Sequence, residues 1–138
     1  MKCLMAGAIV LAGSHLAAAA CDPSTSNDVP SFEIAKEAFL QADYEGFFQA
    51  MGPYFPGTEY EPTFGQVRVV FPNPYRHCRT VLQRREAPGF YQELVFYFPA
   101  GSDAPLALLL IGAEVDGQVN LIEFSFNTNI SDVLDDLK

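Results

Sequence analysis

The chain has 138 residues, a formal charge of −9 and 49% apolar residues, with twelve Phe, six Tyr and no Trp. That length holds one domain, expected to bury roughly 65% of the surface its unfolded chain exposes. The acidity argues against general affinity for nucleic acid, whose phosphates demand a basic face, so no nucleic-acid partner is expected.

Residues 1–20 read as a signal peptide rather than as part of the fold. Lys2 gives a positive start, Leu4 to Leu16 is almost wholly apolar, and Ala17 to Ala20 supply the small residues a signal peptidase needs. The apolar run is too short for a comfortable transmembrane span, and it predicts a periplasmic or secreted protein of bacterial type. With Cys3 in the leader, Cys21 and Cys78 remain. An even count in an oxidising compartment favours a Cys21–Cys78 disulfide, which would stabilise the fold by roughly 4 kcal/mol in the chain-entropy model. The rival reading is a membrane-anchored lipoprotein. Ala18-Ala19-Ala20-Cys21 resembles a lipobox, with Ala18 where that box usually has Leu, and only a lipid on Cys21 would bring this protein to a membrane. The sequence leaves both readings open.

Residues 21–30 are polar and turn-forming and read as a flexible tether; residues 31–138 read as a single α+β domain. Ser31 is the expected N-cap of a helix from about Phe32 to Gln41, in which Phe32, Ala35, Ala38 and Phe39 recur at helical spacing and Glu33 reaches Lys36 at i+3. Asp43 caps a second helix, whose Tyr44, Phe47, Phe48 and Met51 form an aromatic stripe suited to a core. Gly52-Pro53 ends it. The loop that follows holds Tyr54, Phe55 and Tyr60, and Pro62 keeps it irregular. Val67, Val69 and Phe71 then alternate, predicting a short edge strand from Gln66 to Phe71 that Pro72 and Pro74 stop.

The largest signal is a meander. Arg76 to Glu86 and Tyr91 to Phe98 flank the turn pair Pro88-Gly89; Leu106 to Val115 and Gln118 to Asn127 flank Asp116-Gly117, the strongest hairpin signal in the chain. The predicted fold is therefore α+β, with N-terminal helices packed on a curved antiparallel sheet of four to five strands. A two-residue loop pairs Val115 with Gln118, Ala113 with Asn120, Ile111 with Ile122, Leu109 with Phe124 and Ala107 with Phe126. That face is nearly all apolar and is the expected core. The opposite face, with Leu108, Leu110, Gly112 and Glu114 against Val119, Leu121, Glu123 and Ser125, is mixed, which suggests partial cover by a partner, a ligand or the sheet itself. Ser131 caps a last short helix from Asp132 to Leu137.

Chemistry is sparsely signalled. Outside the leader there is one histidine, His77, so neither a zinc site nor a cofactor is expected, and no nucleophile or phosphate-cradling motif occurs. His77 and Cys78, as strand neighbours, point to opposite faces and cannot easily pair. Arg68, Arg76, Arg79, Arg84 and Arg85 cluster within 18 positions. One reading is cross-strand pairing, for example Arg84 or Arg85 with Glu93. The other is a binding patch of Arg76, Arg79, Arg84 and Arg85 for a carboxylate, a phosphate or an acidic partner. Asp43, Glu45, Glu93 and Glu123 are the carboxylates placed to face a pocket, with nothing in their spacing to select one.

The two helices joined at Gln41-Ala42-Asp43-Tyr44-Glu45-Gly46-Phe47, followed by long antiparallel strands, resemble the NTF2-like (cone-shaped α+β) superfamily. Many members break their first two helices at a small residue followed by Asp, as Ala42-Asp43 does. The chain departs from the pattern in showing no third helix between the first strand and the meander, and a cystatin-like sheet is the alternative. The resemblance implies a cavity between sheet and helices, used in some members for small ligands or isomerase chemistry and in others for association. Together these features predict an exported cell-envelope binding or accessory protein without catalytic activity. The alternatives are a small isomerase-like enzyme and an oligomerising structural module. The partner would be a small ligand, another protein or a second copy through the sheet.

Overall fold

The computed structural model describes residues 19–23, 25, 27–51 and 58–137. Most of the predicted leader and the loop residues Tyr54 and Phe55 lie outside them. Three helices come first: α1 (Pro30–Leu40), α2 (Tyr44–Met51) and α3 (Tyr60–Val70). Strands β1 (His77–Glu86), β2 (Phe90–Phe98), β3 (Leu106–Val115) and β4 (Gln118–Asn127) then form an antiparallel meander in the order β1-β2-β3-β4, followed by α4 (Ile130–Leu134). The α+β class is as the sequence predicts.

Helix α1 starts at Pro30, whose missing N–H costs nothing in a first turn, and Val29 stands at the cap position without a side-chain bond. Ser31, expected to cap, instead donates from its hydroxyl to the Val119 carbonyl at 2.7 Å, tying the helix to β4. Ala42, at φ 55°, breaks the chain between α1 and α2, and Asp43 Oδ1 accepts the Gly46 N–H at 2.9 Å, the cap the sequence predicted.

The predicted strand from Gln66 to Phe71 is incorrect: these residues fall in and just after α3. The valine alternation is real but short. Tyr60, Phe64, Val67 and Phe71 recur at i, i+4, i+7 and i+11, and the helix buries Phe64 and Val67 while leaving Val69 and Val70 exposed. Pro62 sits in the first turn, where it is tolerated. The sheet accordingly has four strands, not five.

The Asp116-Gly117 turn forms as predicted, with φ of 53° and 79°, and Val115 pairs with Gln118 and Ala113 with Asn120. Gly117→Val should therefore destabilise the domain by about 1–2 kcal/mol, the cost of a left-handed residue with a Cβ; unchanged denaturant stability would contradict this turn geometry.

Beyond Leu121 the predicted register fails. Gly112 pairs with Leu121, but Ile111 pairs with Glu123 and Leu110 with Phe124, because Ile122 bulges out of β4. One extra residue reverses the alternation, so Val119, Leu121, Phe124 and Phe126 all turn to the same side. The main core is consequently the face predicted to be mixed. Leu106, Leu108 and Leu110 join Val95, Tyr97 and Leu121 there beneath α1, α2 and α3. Ala107, Leu109 and Ile111, predicted to face the core, join Leu94 of β2 and pack instead against Val133 of α4. This second side is the outer face of the sheet.

Cys21 and Cys78 form a disulfide. It fixes a segment read from sequence as a loose lead-in: Asp22 N–H donates to the Cys78 carbonyl, and Thr80 N–H donates to the Asp22 carbonyl at 2.7 Å. Further on, Gln83 accepts from the Thr25 hydroxyl and donates to Asp28. Asp22, Thr25 and Asp28 thus lie beside β1, at the edge of the sheet.

Candidate functional site

The space between helices and sheet, where the resemblance implied a cavity, is packed with rings. Phe39 lies 4.9–6.0 Å, centroid to centroid, from Tyr44, Phe47, Tyr75, Tyr97 and Phe126. Phe64 stacks on Phe124 and Phe126 at 5.8 and 5.5 Å. Each ring buried this way contributes about 1.5–3 kcal/mol through its area alone. The polar ends of these side chains are also satisfied. Tyr44 and Tyr75 share a 2.9 Å hydroxyl contact, Tyr44 donates to the Phe71 carbonyl, and Tyr97 donates to the Lys36 carbonyl. Burial pushes the phenols of all three above their usual range.

Under the N-terminal half of α1 lies a buried ionic group that the sequence did not single out. Glu33, Lys36 and Glu93 are each at most 3% exposed. The Lys36 ammonium pairs with Glu33 Oε1 and with Glu93 Oε2, the latter at 2.7 Å, and donates to Thr80 Oγ1 at 3.3 Å. The second oxygen of Glu33 accepts the Ala20 N–H at 2.8 Å, and that of Glu93 accepts from Gln83 at 3.2 Å. The i,i+3 pair in α1 was legible as a pair, but its direction was not, because the third member comes from β2, 57 residues away.

Burial pushes the Glu93 carboxyl above the usual carboxylate range, against the opposing pull of Lys36. Asp28, at the rim, is also pushed up by burial, but the bonds from the Thr25 N–H, Gln83 and the Thr25 hydroxyl outweigh it and hold Asp28 low. Beside Glu93 opens a cleft of about 260 Å³ lined by Asn27, Val29, Gln83, Arg85 and Tyr91 among others. Both Glu93 oxygens already accept hydrogen bonds, so it does not stand there as a free base. The other candidate carboxylates are outside the core: Asp43 caps α2, Glu45 pairs with Gln49 on its surface, and Glu123 is exposed on β4.

Of the four candidate arginines, Arg84 and Arg85 both line the cleft beside Glu93, while Arg76 and Arg79 stand apart from it. Arg76 reaches the Pro99 and Ser102 carbonyls and Asp103 in the β2–β3 loop. Arg85 turns to the helix side and lies 5.1 Å over the Tyr91 ring. Arg84 pairs with Glu86 at 2.6 Å, not with Glu93. Arg79, opposite Phe96, projects from the outer face and has no polar partner among the described residues. His77 stacks on Phe98 at 4.6 Å on that same face, while Cys78 points inward to its disulfide, so the two are separated as expected.

The outer face is incompletely covered. Helix α4 lies over β3 and β4, where Val133 is fully buried. Over β1 and β2, Leu82, Phe90, Phe96 and Phe98 remain half-buried. No cluster of His, Cys, Asp or Glu among the described residues is arranged to hold a metal ion. No protein-family model, curated protein or solved structure matches the chain.

Proposed function

We propose that this is an exported binding or accessory protein of the cell envelope, working without catalysis through the outer face of its sheet. The observation that carries this reading is Arg79, an exposed guanidinium without a polar partner among the described residues, set among His77, Phe96 and Phe98 on β1 and β2. An arginine beside aromatic rings is a composition enriched at contact surfaces. Two further features support it. The interior groups that a reaction would need are engaged by one another. Rings fill the core beneath α1 and α2, and the cleft of about 270 Å³ between α3 and the ends of β3 and β4 is lined by no ionisable side chain among the described residues.

Export is supported by the Cys21–Cys78 disulfide, a bond that persists in oxidising compartments. No described helix is long and apolar enough to cross a membrane. Within the α+β class, the break at Ala42-Asp43 with its Asp43 cap supports the NTF2-like likeness, with the cavity filled and the sheet used for association. The test is a photo-crosslinking residue placed at position 79 of the exported protein. A discrete protein adduct is expected, and its absence would overturn the reading.

A further inference from the structure

We propose that the outer face binds a second copy of this chain, the basic half of each against the acidic half of the other about a two-fold axis. This rests on the reading of the outer face as the contact surface and names its occupant.

The charges on this face are segregated. On β1 stand His77, Arg79 and Arg84, and the one carboxylate beside them, Glu86, is already held by Arg84. On the other side, Glu123 projects from β4, and Asp132 and Asp135 lie exposed on and just after α4, with no basic side chain among the described residues there. Asp132 accepts from the Asn127 amide at 3.1 Å, while Glu123 and Asp135 have no side-chain partner among the described residues. Adjacent strands are spaced about 4.8 Å apart, so β1 and β4 stand about 14 Å apart across the sheet. A two-fold axis over the middle strands therefore carries Arg79 of one copy onto the α4 region of the other, and every contact occurs twice. Between the charged halves lie the half-buried Leu82, Phe96 and Phe98, which supply apolar area.

The sheet edges offer no equal route. Beside Arg79 the edge of β1 is bridged by Asp22, and β4 is interrupted by the Ile122 bulge. At about 4.8 Å between strands and about 3.3 Å per residue, four strands of nine or ten residues outline about 600 Å², below the roughly 800 Å² per partner of a standard interface. The charge of −9 on each chain opposes association as well. The dimer is thus weak and concentration-dependent.

The test is sedimentation equilibrium of the exported, disulfide-bonded protein from low micromolar to near-millimolar concentration, with circular dichroism verifying that each variant folds. The mass should rise from monomer to dimer. Arg79→Asp and Asp135→Arg should each weaken association by about tenfold, and an equimolar mixture of the two should recover it, since like charges then face opposite ones again. A wild-type monomer at every concentration would overturn the proposal, as would a dimer that neither reversal weakens. If position 79 crosslinks to a different protein while the chain stays monomeric, the second copy is excluded but the outer-face reading stands; no adduct at all removes both.

Discussion

Replacing Lys36 with Met should destabilise the domain by about 3–5 kcal/mol at neutral pH, the usual cost of removing one partner from a buried ion pair. Met is close to the alkyl stem of Lys in size, so little of the loss would come from a cavity. The loss is electrostatic: Glu33 and Glu93 would face each other, both nearly fully buried, with the cation between them gone. The pH dependence separates this cause from simple misfit. Burial already raises the Glu93 carboxyl. A carboxyl raised on folding holds its proton more tightly in the native state, so its contribution is fully present below the ordinary carboxylate pKa and is lost as pH rises through the raised value. Without Lys36 that upward push goes unopposed, and the defect of Lys36→Met should shrink as pH falls toward the ordinary carboxylate range. Denaturant unfolding at mildly acidic and at neutral pH checks this. A loss below about 1 kcal/mol, or one equal at both pH values, would show that the group is not buried as described.

Reduction of the disulfide, or Cys78→Ser, should cost about 4 kcal/mol, because the closed loop spans 57 residues and its entropy is returned to the unfolded chain. The folded state should suffer as well. Once Cys21 is free, the bridge of Asp22 to β1 loses its anchor, and with it the Ala20 N–H that satisfies one oxygen of Glu33. The two effects are thus coupled: after Lys36→Met, reduction should cost a different amount than in the wild type, which a double-mutant cycle would reveal. Unfolding with and without reductant measures the first effect, and intact mass identifies the bond. The oxidised chain should be lighter than its reduced form by two hydrogens; a lipid adduct on Cys21, or stability unchanged by reductant, would contradict it.

How far these features could be read in advance depends on the range of the interactions. The helix break at Ala42-Asp43, the aromatic stripe of α2 and the Asp116-Gly117 turn are local, and each was legible. The valines of α3 suit a strand as well as a helix because five residues satisfy a two-residue period as easily as a helical one; the packing of Phe64 between Phe47 and Phe124 favours the helix. The Ile122 bulge left no comparable mark, since an exposed isoleucine in a β-rich stretch does not declare itself unpaired. That single residue exchanged the expected core face for the other. The Glu33–Lys36–Glu93 group was half visible as a pair within α1, but which way a helix faces is settled by what packs on it. The arginines were found by their clustering, while their separation into Arg76 on a loop, Arg85 over Tyr91 and Arg79 in the open depended on strand register.

Contact is proposed to be made from the outer face of β1 and β2 and not from the helical side. Comparing photo-crosslinking from position 79 with that from position 49, an exposed residue of α2 across the core, tests it most directly. Adducts from 79 and none from 49 are the predicted result. Adducts from 49 alone would place the working surface on the helices and contradict it.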